Sequence, residues 1–213
     1  MTAMAADTPS ASPRPSLRER KKLKTRAAIR KATYRLAAEQ GWEAATVERI
    51  AAAAEVSAST VLRYFPVKED ILLTDDQDEL LVDRLRARPA GEDPLDSLRA
   101  VVLDAVTAAL DREPEETRLR ARLMVEIPAV RARLTETTAE TGRLLSGAVA
   151  ERTGRAPDDL EVRVFTAAVL GALREATVFW AERGRGDDLV ALLDRTVDTL
   201  KTGLTRSPRR ARP

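Results

Sequence analysis

Residues Thr46–Leu72 read TVERIAAAAEVSASTVLRYFPVKEDIL, and the fold turns on how they divide. Thr46 is a good N-cap, because its hydroxyl can accept an N–H that the first helical turn leaves unpaired. Val47, Ile50, Ala51 and Ala54 then share one helical face. That helix stops near Ala54. Glu55-Val56 make a tight link, and Ser57 caps a second short helix that runs to about Phe65. Pro66 ends it, since proline disfavours helix in the residue before it and lacks the N–H that the ladder needs. Two short helices joined by about three residues form a helix-turn-helix, whose second helix enters the DNA major groove while the first braces it across the backbone.

Outward from this stretch the chain reads as helix throughout. Leu17–Gln40 carries Ile29, Thr33, Leu36 and Ala37 on one face and basic residues on the other, and Gly41 stops it. A longer helix is predicted from Lys68 to about Arg88, with Ile71, Leu72, Leu80, Leu81 and Leu85 apolar, until Pro89-Ala-Gly-Glu-Asp-Pro94 breaks the chain. Further helices are expected at about Asp96–Asp111, Glu115–Ile127, Ala129–Thr153, Asp158–Arg183 and Asp187–Leu204. No strand pattern or internal repeat appears. The expected class is all-α: a three-helix DNA-binding unit at 17–66 and a helical body at 67–205, between an N-terminal arm at 1–16 expected to be disordered and a basic tail at 206–213.

Composition narrows the chemistry. The chain of 213 residues has no Cys and no His. Disulfides, thiolate nucleophiles and Ser-His triads are excluded, as are Cys- or His-based metal sites. A carboxylate enzyme survives this filter, and Asp75, Asp76, Asp78 and Glu79 cluster. Their spacing spreads them around a helix instead of onto one metal-facing side, so neither enzyme, metal nor cofactor is expected. The start, MTAMAADTPSASPRPS, has no signal-peptide pattern, and no apolar run reads as long enough to span a bilayer. A soluble cytoplasmic protein is expected.

The net charge is only +2, yet Arg18, Arg20, Lys21, Lys22, Lys24, Arg26, Arg30 and Lys31 face a single acid, Glu19, within fourteen positions. Arg206, Arg209, Arg210 and Arg212 form a second basic end. Basic ends on a near-neutral body suit a polyanion such as DNA, although most charge runs are solvated helix faces. Around Pro66 each unusual residue then has a task. Ser57, Ser59 and Thr60 crowd the start of the reading helix, where small hydroxyls admit the DNA backbone and bond phosphates or base edges. Tyr64 can turn its ring inward and its hydroxyl to a phosphate, Arg63 faces another side, and Phe65 is expected in the core. Lys68 at a helix start would add to an anion site. The plainer reading makes Thr46 and Ser57 caps only, and Lys68-Glu69-Asp70 a solvated helix start.

The segment GWEAATVERIAAAAEVSASTVLRYFPVKEDIL resembles the DNA-binding segment of TetR-family transcriptional regulators. Arg26, Ile29 and Ala32, Gly41, Thr46-Val47, Ile50-Ala51, Val56-Ser57, Thr60, Tyr64-Phe65 and Lys68-Glu69 carry the likeness over about fifty residues. The resemblance implies phosphate contacts from Thr46, Thr60, Tyr64 and Lys68, and base reading around Ser57, Ala58, Ser59 and Leu62, with Arg63 and Lys24 beside them. Three residues depart from the pattern. Glu55 stands at a turn position that needs a left-handed backbone and usually holds Gly, Leu62 where an aromatic is common, and Ala58 where a longer polar residue is common. A reading helix so poor in polar groups is expected to lean on thymine methyls, DNA shape and the basic arm.

The resemblance also implies a body that senses a ligand and dimerises through its last two helices. Val169, Leu189, Leu193, Val197, Leu200 and Leu204 are the expected dimer contacts, unless that stripe packs inside one chain. RLRARLMVEIPAVRARL, Arg118–Leu134, with the helices after it resembles the branch that has an acyl-CoA-type sensor domain. That would place Leu103, Leu123, Met124, Ile127, Leu144, Phe165, Leu173 and Trp180 around an acyl chain, with Arg122 and Arg174 on anionic groups. An apolar stripe at helical spacing is more often plain core. The expected function is a repressor released from a palindromic operator by a small hydrophobic or acyl-CoA-like effector, the 68–88 helix carrying the signal. The alternative is a ligand-independent helix-turn-helix DNA-binding protein.

Overall fold

In the computed structural model, residues 16–73, 78–183 and 188–204 are described. Among them the chain forms ten α-helices and no strand. The expectations for the N-terminal arm, the basic tail, Asp75 and Asp76 lie outside the described residues.

α1 (Leu17–Gln40) opens with a capping box: Ser16 Oγ accepts the Glu19 N–H at 3.2 Å, and the Glu19 carboxylate accepts the Ser16 N–H at 2.6 Å. Gly41, at φ +86°, ends it. α2 (Val47–Ala53) and α3 (Ala58–Tyr64) are capped by Thr46 and Ser57, as their sequence positions require. The turn between them puts Glu55 at φ +56°, in the left-handed region, at a cost of about 1 kcal/mol relative to Gly. Ile29, Leu36, Ile50, Val61, Phe65 and Ile71 meet in the core of this unit.

α4 covers only Asp70–Leu73, and α5 runs Asp78–Ala87. The expected helix from Lys68 is therefore corrected at its start: Lys68 and Glu69 form a turn closed by Asp70 N–H to Val67 O and Ile71 N–H to Lys68 O, both 3.1 Å. The middle of that helix, 74–77, lies outside the described residues.

In the body, α6 (Pro94–Arg112), α7 (Pro114–Glu126) and α8 (Pro128–Thr153) each begin on a proline at the first helical position, where the missing N–H costs nothing. Gly154, left-handed at φ +67°, ends α8. α9 (Leu160–Arg183) packs on α7, α8 and α10 (Leu189–Thr202), and α10 also packs on α6. α9 is apolar and long enough by composition to cross a membrane, with a window of mean hydropathy 1.3, contrary to the sequence expectation. In this fold it is a packing helix.

A junction core joins the two parts. Tyr34, Trp42, Leu72 and Leu73 from the N-terminal unit meet Leu119, Leu123 and Val130 of α7 and α8. Beside it, Arg133 of α8 grips Asp70: Nε–Oδ1 is 2.7 Å and Nη2–Oδ2 is 3.2 Å. The Asp70 side chain is only 6% exposed, and Arg133 also bonds Glu136. The reading of Asp70 as a solvated helix start is thus corrected.

Candidate nucleic-acid interface

α3 is short, and its two faces have opposite jobs. Val61 and, at its end, Phe65 are buried against α1 and α2, whereas Ser57, Ser59, Leu62 and Arg63 face solvent. Ser57 Oγ accepts the Thr60 N–H at 3.1 Å and lies 2.9 Å from Ser59 Oγ and 2.8 Å from Thr60 Oγ1. The cap is therefore also the centre of a three-hydroxyl cluster at the exposed tip. Thr46, exposed, caps α2 by accepting the Arg49 N–H at 3.4 Å.

The C-terminal end of α3 is held by cations from α1. The Arg26 guanidinium carbon lies 4.6 Å from the Phe65 ring centre, that of Arg30 5.7 Å away, and Arg26 Nη1 donates to Tyr64 O at 3.5 Å. No role for these two beyond basic charge was read from the sequence, since nothing local marks a stacking partner 35 to 39 positions away. Tyr64 is half-buried against the same core, with Arg63 5.3 Å from its ring centre. Lys68 is anchored as well: its Nζ donates to Trp42 O at 3.2 Å and sits 4.1 Å from the centre of the indole. Two of its three N–H groups remain for an outside acceptor. Lys24 is exposed on α1, as are Arg18, Arg20, Lys21, Lys22 and Lys31.

The residues expected around an effector do not converge. Leu123, Met124 and Ile127 belong to the junction core with Tyr34 and Trp42. Leu103, Leu173 and Trp180 lie in a separate cluster with Leu189 and Leu193, and Phe165 packs beside Val82, Leu85 and Leu145. Leu144 is 47% exposed, and Arg122 and Arg174 point to solvent. Periodicity had identified apolar faces without telling which neighbour each one meets. A closed crevice does lie between α6, α9 and α10, lined by Leu98, Arg99, Leu103, Val169, Leu173 and Val197 among others, but it has no room for a water-sized sphere. Arg99 is fixed there by Asp194 (Nε–Oδ1 2.7 Å) and by Asp198 (Nη1–Oδ1 2.9 Å).

Four of the six expected dimer contacts are corrected too. Val169, Leu189, Leu193 and Val197 are buried within one protomer, because the α10 stripe faces α6 and α9 of its own chain. Leu200 is exposed. Leu204 lies beyond the end of α10, after Gly203 at φ +74°. The uncovered apolar face belongs to α9: Leu160 and Val164 are 71% and 56% exposed, and Ala167, Ala168 and Gly171 continue the row outward.

Residues 29–74 match the family described as "Bacterial regulatory proteins, tetR family", and residues 92–205 match the "MftR C-terminal domain". The chain is 31% identical over 224 residues to the HTH-type transcriptional regulator TcmR of Streptomyces glaucescens, covering 99% of each. The chain belongs to the TetR family. It is a DNA-binding transcriptional regulator of this ligand-responsive family, not an enzyme. It is also 30% identical, over 83% of its length and 82% of the relative's, to the HTH-type transcriptional repressor KstR of Rhodococcus jostii (strain RHA1). Its TetR-family fold superposes on the Thermus thermophilus repressor FadR, solved with lauroyl-CoA, with a TM-score of 0.57 and 24% identity over 88% of this chain and 99% of that one.

Proposed function

We propose that the protein is a cytoplasmic homodimeric repressor that holds a palindromic operator and releases it on binding a small hydrophobic or acyl-CoA-like effector. The observation that carries the reading is the exposed α3 tip, with its hydroxyl cluster, beside the basic flank of α1 and the anchored Lys68. In this reading residues 17–66, with Lys68 just beyond them, grip the duplex. Thr46, Thr60, Tyr64, Lys68 and Lys24 meet phosphates, while Ser57, Ala58, Ser59, Leu62 and Arg63 face base edges. Residues 67–205 sense the effector and associate. The exposed apolar row on the outer face of α9 favours self-association, and a dimer that reads a palindrome has to present its two copies of α3 about 34–36 Å apart, one helical turn of DNA.

The effector reading draws on the lauroyl-CoA held by the Thermus structure and on the crevice between α6, α9 and α10, whose lining is apolar apart from Arg99, already paired with Asp194 and Asp198. Ligand pockets commonly need about 300 Å³ or more, so α6 and α10 must part before an acyl chain enters. An effector that binds the parted form better than the operator-bound form shifts the equilibrium away from DNA; equal affinity for both would shift nothing. The closed crevice is also what a ligand-independent DNA binder would have, and one titration separates the two. Saturating lauroyl-CoA is expected to dissociate a preformed protein–operator complex and to raise the thermal midpoint of the free protein. An intact complex with an unmoved midpoint would reject acyl-CoAs and favour the ligand-independent reading.

A further inference from the structure

Ser59, Leu62 and Arg63 stand at i, i+3 and i+4 on α3 and form its outermost face. Leu62 is 46% exposed and joins none of the hydrophobic clusters, whereas Ala58 behind it packs partly on the N-terminal core. A half-exposed leucine is ordinary by itself, but this one stands on the outer face of a seven-residue reading helix, where a docked duplex would cover it. The hydroxyls around it have little left to offer. The Ser57–Ser59 and Ser57–Thr60 contacts each use one hydroxyl proton, so the three hydroxyls retain one proton for an outside acceptor. Arg63, the remaining donor of this face, leans toward the Tyr64 ring. Base discrimination by donated hydrogen bonds is therefore thin at this face, and its distinguishing feature is apolar.

The major-groove edges of the four base pairs carry one apolar substituent, the C5 methyl of thymine. We propose that Leu62 reads that methyl, so that the protein requires thymine at the base pair facing α3 in each half-site of its operator. The proposal rests on the reading that α3 docks in the major groove and adds which base it selects and by what contact. Burying one methyl against Leu62 corresponds to about a fourfold affinity gain per half-site, hence about fifteenfold for a dimer on both.

The test starts from duplexes selected by the full-length protein out of a randomised library. Each thymine of the selected site is then replaced by uracil, which keeps every Watson–Crick and groove hydrogen-bonding group and removes only the methyl. At one symmetric pair of positions, uracil is expected to weaken the wild-type protein about fifteenfold. Leu62→Ala should bind the thymine and uracil duplexes equally, with a salt dependence matching the wild type because no phosphate contact is lost. Leu62 is exposed and outside the core, so this variant is expected to unfold at the wild-type midpoint. Uracil scanning without effect at every position, selected sites lacking thymine there, or Leu62→Ala retaining the wild-type preference would each overturn the proposal. Failure to select any duplex would instead reject the docking of α3, and this proposal with it.

Discussion

Replacing Arg152 by alanine is expected to lower the unfolding free energy by about 3 kcal/mol, read from urea denaturation. Arg152 projects from the last turn of α8 into the end of α5. Its Nη1 donates to Leu85 O at 3.2 Å and Arg88 O at 3.1 Å; its Nη2 donates to Pro89 O at 2.7 Å, Glu92 O at 3.3 Å and Ser97 Oγ at 2.9 Å. Carbonyls at the end of a helix have no partner within it and carry its negative dipole end, so a guanidinium there supplies both donors and charge. One side chain thereby ties α5, the 88–92 turn, α6 and α8 together. Arg152→Lys keeps the charge but loses the planar fork, and is expected to recover less than half of the loss. Arg86→Ala, which removes only exposed pairs with Glu151 and Asp83, is expected to leave the midpoint unchanged within error.

The same turn has an acid limb. The Arg88 side-chain hydrogen bond, followed by that of Ser97, lowers the Glu92 carboxyl from 4.5 to about 2. A folded pKa below the unfolded one gives stability that is present above about pH 4.5 and is lost as pH falls toward 2. Glu92→Gln is therefore expected to flatten the decline of stability across that window. An unchanged acid limb would remove Glu92 from the explanation.

The second large effect is expected at Arg133. Substituting methionine leaves the Asp70 carboxylate buried without its guanidinium, which costs about 3 kcal/mol. Adding Asp70→Asn should return more than half of that loss, because the unpaired charge goes with it. The pair also clamps α4, at the foot of the DNA-binding unit, to α8 of the body. Arg133→Met is accordingly expected to separate the unfolding of the two parts, seen as earlier hydrogen exchange in α1–α4 than in α9. A single cooperative transition at the wild-type midpoint would contradict this.

These two arginines show where sequence reading stops. Helix ends were legible because their signals are local: Thr46 and Ser57 as caps and Gly154 as a stop, whereas Pro94, Pro114 and Pro128 were read as breaks between helices and turn out to be the first residues of α6, α7 and α8. The left-handed turn at Glu55 was legible only through the family resemblance, which puts it at a position usually held by Gly. Asp70 and Arg133 lie 63 positions apart, and nothing in either neighbourhood marks the other as partner. The same limit explains the α10 stripe. Leu189, Leu193 and Val197 follow the same spacing whether their cover is the chain's own α6 or a second copy. At the DNA face, the small hydroxyls near Ser57 were readable, but their mutual hydrogen bonds and the cradling of Phe65 by Arg26 and Arg30 required the packed structure.

The most direct measurement is fluorescence anisotropy of a selected palindromic duplex titrated with the protein at several salt concentrations, with the mass of the complex determined in parallel. The expected result is a protein dimer on each duplex, with log affinity falling linearly against log salt at a slope of several phosphates, and with Lys68→Ala reducing that slope by about one. A lone protomer on the duplex, or an affinity indifferent to salt and to Lys68, would contradict a regulator that grips DNA through α2 and α3.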